Sequence, residues 1–163
     1  MKDTSQEQER VRQLIHEAFA GITLGRGVSL HETVVIDDYG STQARQKARE
    51  KDEKKDWRKL VDAPELKAVT GIGGLSFFDA EGLRFHLPAY MCLALVSPYE
   101  DVVESLTFTL TSSSDYNKER FAILNAEQRE AVKVFLIYLR DLGGDAYDFT
   151  RPKIEDALAN YWR

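Results

Sequence analysis

The chain has 163 residues, 43% apolar, 30% charged and 10% aromatic, a balance that excludes wholesale disorder and a fibrous architecture and fits one domain with a buried core. Its single cysteine, Cys92, excludes an internal disulfide, and with the polar opening MKDTSQEQER it argues for a bacterial-type reducing cytoplasm. The net charge of −5 divides into −3 over residues 1–44, +4 over 45–59 and −6 over 60–163, so the acidic body opposes general nucleic-acid binding and favours a basic protein partner.

Thr4 or Ser5 can cap a first helix within residues 1–24, where Val11, Leu14, Ile15, Ala18, Phe19 and Ile22 recur at helical spacing. Gly21 and Gly25-Arg26-Gly27 end it. Ser29 followed by Glu32 has the capping-box pattern ahead of Val34 and Val35. Gly40-Ser41 restarts the pattern for a polar, basic helix over 41–60, anchored at its end by Trp57 and Leu60. Asp62 and Pro64 leave at most one helical turn over Leu66–Val69, and Gly71-Ile-Gly-Gly74 reads as a linker, lacking the Lys-Ser/Thr ending of a phosphate cradle.

The segment Leu75–Leu95 concentrates apolar surface and admits two foldings. In one, Leu75 and Phe77 pair with Leu87 and Phe85 in a hairpin turning at Ala80-Glu81-Gly82. In the other, Asp79 caps a helix that Pro88 kinks or divides, with Pro88–Val96 its firmest part. Phe77, Phe85, Leu87, Met91 and Leu95 are the expected core, and Pro88 the expected change of direction or helix start. Val102–Leu110 ends in Leu-Thr-Phe-Thr-Leu, an alternation that predicts one half-buried strand. Asn125 then caps the strongest helix, striped by Val132, Phe135, Leu136, Leu139 and Leu142 and stopped by Gly143-Gly144. A last helix from about Pro152 presents Ile154, Leu158 and Tyr161 or Trp162. The predicted fold class is α-rich α+β, one domain over 1–163 with five or six helices and a short strand pair or small sheet.

The central string Leu75-Ser-Phe-x-Asp79-x-Glu81-Gly-x-Arg84-Phe-x-Leu87-Pro-Ala-Tyr-Met91 resembles that of a small bacterial family of unknown function. Trp57 upstream and Leu124-Asn125-x-Glu-Gln-Arg-x-Ala-Val-x-x-Phe-Leu136 downstream share the resemblance. It brings no activity, substrate or site residues. It does imply an aromatic such as tyrosine where this chain has His86, which argues against imidazole chemistry there.

His86 and Cys92, with Asp79 or Glu81 nearby, have the residue types of a base, a thiol nucleophile and orienting carboxylates. Six residues along a continuous helix leave the first two about 120° out of alignment, and Cys92 sits in the apolar string Tyr-Met-Cys-Leu-Ala-Leu, where a thiol packs as a small hydrophobe. His16, His31 and His86 lack metal-ligand spacing. Asp37-Asp38 and Glu100-Asp101 with Glu104 lack the spaced oxygens of a calcium loop and read as helix-start charge. Lys47, Lys51, Lys54, Lys55 and Arg58 would share one face of a continuous helix and form an interaction surface, although interspersed acids such as Glu50 favour intrahelical pairs. No apolar run is long enough to span a bilayer, and no cofactor is indicated. The leading expectation is a cytoplasmic, non-enzymatic interaction, immunity or regulatory module with a basic protein partner. The alternative is a small hydrolase or transferase using His86 or Cys92, and nucleic-acid binding through 45–59 is the weakest reading.

Overall fold

Capping chemistry sets several of the element starts in the computed structural model, which describes residues 4–68, 74–142 and 147–163. Helix α1 runs Thr4–Ala18 from the first described residue. Glu32 reaches back to the Ser29 amide at 3.1 Å and opens α2, Leu30–Asp37. Ser41 accepts from Ala44 N and opens α3, Thr42–Lys51. A single 3-10 turn, Trp57–Leu60, and the short α4, Pro64–Ala68, precede a second 3-10 turn, Gly74–Phe77. Asp79 caps α5, Ala80–Val96, and α6 follows over Asp101–Thr111. Ser114 caps α7, Asp115–Phe121, and the Asn125–Gln128 capping box opens α8, Ala126–Asp141. Pro152 lies in the first turn of α9, Arg151–Asn160.

Helix α5 is the centre of the molecule: thirteen of its seventeen residues are buried, the condition of a helix apolar on every side. α1, α6 and α7 pack on it, α8 covers α1, and α9 bridges α8 and α6. Trp162, 2% exposed, closes that side by donating its indole N–H to Leu110 O at 2.8 Å. Arg120 of α7, also buried, donates to Leu75 O and Phe78 O and fixes the turn that leads into α5.

The α+β expectation is overturned, because the described residues form nine α-helices and no strand. Val102–Leu110 lies in α6, where Val102, Val103, Leu106 and Leu110 make a buried stripe longer than the five-residue alternation. The threonines fit that helix by bonding back one turn, Thr107 Oγ1 to Val103 O and Thr111 Oγ1 to Thr107 O, each at 2.8 Å. Among the described residues there is no hairpin, and α5 continues through Pro88, so the proline does not mark a helix start. Packing on all sides holds the helix across the missing amide. Phe78 rather than Phe77 is the buried ring of the preceding turn, a one-residue difference, whereas Phe85, Leu87, Met91 and Leu95 are buried as expected. The basic helix expected over 41–60 stops at Lys51. The linker glycines Gly71–Gly73, the stop at Gly143-Gly144 and Val69 lie outside the described residues.

The loop between α1 and α2 meets the start of α5 with almost no space. A Cβ on Gly82 would sit 2.6 Å from Val28 O, and one on Gly27 would sit 2.5 Å from Gly82 N, both backbone atoms that cannot swing aside. Gly82→Ala should therefore lower stability by about 1–3 kcal/mol, the cost of an overpacked contact, despite alanine's better helix propensity. A urea midpoint equal to or above the parent's would refute this.

Candidate functional site

A groove of about 240 Å³ opens between the start of α6 and the segment entering α9. Tyr147 forms its floor: the side chain is 5% exposed, its hydroxyl donates to Pro98 O, and burial pushes the phenol up to about 12. Tyr99, 64% exposed, stands 6.0 Å from the Tyr147 ring, and Phe149 at the opposite rim is 83% exposed. Glu100, Asp101 and Glu104 also line the groove, and among the described residues the lining has no basic side chain. Glu100 is paired with Lys67 at 3.2 Å. Asp101 and Glu104 are exposed and have no ion-pair partner among the described residues. Phe108, 60% exposed, extends the same outer face of α6 one turn beyond Glu104. One cation already visits these rings, because Lys153 Nζ lies 5.6 Å from the Phe149 centroid.

The catalytic constellation considered from sequence does not assemble. Asp79 spends one oxygen on Gly82 N and Val28 N, each at 2.9 Å, and Glu81 accepts Arg26 N at 3.1 Å. Both acids lock the α1–α2 loop against α5. His86 is fully buried, stacked on Phe78 at 4.3 Å and edge-on to Phe85. Its Nδ1 donates to Gly82 O at 2.7 Å, its Nε2 has no partner among the described residues, and burial lowers the imidazole to about 4. Cys92 is 2% exposed on the same continuous helix, and burial pushes its thiol up to about 12, away from the thiolate a nucleophile requires. A neutral ring and a protonated thiol on different sides of α5 have no shared chemistry. Among the described residues no group of His, Cys, Asp and Glu is arranged to hold a metal ion, and no helix is long and apolar enough to cross a membrane.

The five basic residues likewise do not share the one continuous helix expected of them. Lys47 and Lys51 lie on α3, but Lys54 folds over its end and donates to Arg49 O and Asp52 O, each at 2.8 Å. Lys55 and Arg58 fall beyond the helix, and Arg58 makes two hydrogen bonds to Asp56. The cause is Asp52, whose carboxylate leaves the helix to bind Ser29 Oγ and His31.

A model of the family of unknown function DUF6714 matches residues 7–163. The chain belongs to that family. Comparison with curated proteins and with solved structures gives no match. The match spans all nine described helices of this DUF6714 chain apart from the first residues of α1, so the groove falls wholly within the family region.

In this DUF6714 chain the acids of the groove were visible in sequence as helix-start charge, and their aromatic partners were not. Tyr99 and Phe149 line one groove only because α6 packs on α9. The available signal was two large rings placed in polar, turn-rich strings, Pro-Tyr-Glu-Asp and Tyr-Asp-Phe-Thr, where no helical stripe accounts for them.

Proposed function

We propose that this DUF6714 member is a cytoplasmic interaction module of the immunity or regulatory kind, which docks a basic segment of a partner protein in the groove of Tyr99, Tyr147 and Phe149. The observation that carries the reading is the pairing of exposed rings with unpaired carboxylates. An aromatic face attracts a cation by its quadrupole, worth about 0.5–1 kcal/mol at an exposed site, and Asp101 and Glu104 add Coulomb attraction and steering. The charge of −6 over residues 60–163, which include the groove, extends that attraction beyond contact distance. Lys153 over Phe149 is the intramolecular stand-in for the partner's lysine or arginine.

Fluorescence anisotropy with labelled octa-arginine, octa-lysine and octa-glutamate tests this. Saturable binding of the two cationic peptides is expected, weakening as salt rises, with none of octa-glutamate. Phe149→Ala and Tyr99→Ala should each weaken binding about 2- to 5-fold, and Lys153→Ala should tighten it by removing the internal competitor. Equal binding by parent and groove variants would show only diffuse attraction to an acidic surface and would reject the reading.

A further inference from the structure

Away from the docking groove, Asp52 organises a second cleft. Its side chain is 4% exposed, and its carboxylate accepts Ser29 Oγ at 2.6 Å, the His31 amide at 2.7 Å and His31 Nδ1 at 2.5 Å. A carboxylate oxygen only accepts, so Nδ1 carries the proton and the lone pair of the neutral ring sits on Nε2. The ring is 43% exposed, and Nε2 has no hydrogen-bond partner among the described residues. It lines a cleft of about 510 Å³ whose apolar wall is Leu30, Ala48 and Leu60, and whose charged rim includes Lys51 and Glu65. The frame around it is rigid: Glu32, 6% exposed, is held by Arg49 at 3.1 Å and Arg45 at 3.3 Å, and Arg49 also ties down Gly25 O at 2.6 Å.

We infer that this cleft is a hydrolytic site in which His31, positioned by Asp52, activates water against an uncharged carboxylic ester. This activity goes beyond the docking reading and is independent of it. Three features fix the chemistry. A buried acid holding the far nitrogen of an imidazole sets its tautomer and orientation for proton transfer. Ser29 is not the nucleophile, because it is 0% exposed and its hydroxyl donates to Asp52 instead of to the ring. A phosphate ester is disfavoured, because among the described residues Lys51 is the only cation of a lining that also holds Asp52, Glu53 and Glu65, whereas the apolar wall suits an acyl chain.

In the step, a water oxygen bonds the ester carbon while its proton passes to His31 Nε2. Lys51 balances the oxyanion. The tetrahedral adduct then breaks its bond to the alcohol oxygen, which takes the proton back from Nε2, so ester and water become acid and alcohol. His31 is the catalytic residue and Asp52 a positioning residue.

Initial rates with p-nitrophenyl acetate test the assignment on the full chain, with His16→Gln as the control for a second partly exposed imidazole. His31→Gln should lower kcat/KM about 100-fold or more, the usual contribution of a general base. Asp52→Asn should lower kcat with KM nearly unchanged. His16→Gln should do neither. Nitrogen-15 NMR of the parent chain gives a readout independent of turnover and of whether Asp52→Asn folds: His31 should be the Nδ1–H tautomer. An Nε2–H ring, a parent rate equal to that of His31→Gln, or equal losses in His31→Gln and His16→Gln would each overturn the proposal.

Discussion

Replacing Trp57 by alanine should lower the unfolding free energy by about 3–5 kcal/mol, the range for deleting a large buried ring. Trp57 is 2% exposed, its indole N–H donates to Phe19 O at 2.9 Å, and its ring lies 5.0 Å from that of His16. One side chain therefore joins the end of α1 to the turn that packs on α5. It also secures the segment after α3, whose Lys54 O accepts the Leu24 amide at 2.9 Å. Urea denaturation reads the loss directly. Trp57→Phe keeps most of the buried surface but drops the indole donor and should cost about 1–2 kcal/mol. Equal costs for the two variants would show that the hydrogen bond, and not the packing, carries the residue's contribution.

His86 should make the protein acid-sensitive. Burial lowers its folded-state imidazole from 6.5 to about 4. Below pH 6.5 the unfolded chain therefore takes up a proton that the folded chain refuses. Stability is complete above that range and declines as pH falls toward 4, with about 2–3 kcal/mol lost by pH 4.5. His86→Phe removes the titration along with the unpartnered Nε2. Comparing urea midpoints at pH 7.5 and 4.5 cancels the carboxylate titrations common to both chains. The parent should lose about 2–3 kcal/mol more than the variant across this interval; identical losses would mean that His86 is protonated in the folded state. This sensitivity is a property of the core, and it explains the position better than catalysis does.

Local rules read from sequence found what depends on neighbours within one turn. Ser41 and Asn125 cap the helices assigned to them, Asp79 caps the helical one of the two foldings left open for its segment, and the stripes of α1 and α8 pack against the core. The failures all required distant partners. Leu-Thr-Phe-Thr-Leu alternates like a strand, but α6 lies against α5 and α9, and its threonines recover their hydrogen bonds inside the helix. Pro88 should break an isolated helix, yet α5 is enclosed, and the surrounding contacts outweigh the lost amide. α3 stops where Asp52 finds Ser29 and His31, a juxtaposition across 21 residues that no periodicity records. The candidate groove was half legible for the same reason, its acids close together in sequence and its rings supplied by the segments that enter α6 and α9, about 50 residues apart.

Chemical-shift mapping of the isotopically labelled chain during titration with octa-arginine is the most direct test of the docking account. The account predicts perturbations concentrated at Pro98–Thr107 and Tyr147–Lys153 and abolished in Phe149→Ala. Perturbations spread evenly over the acidic surface, or unchanged in that variant, would contradict it.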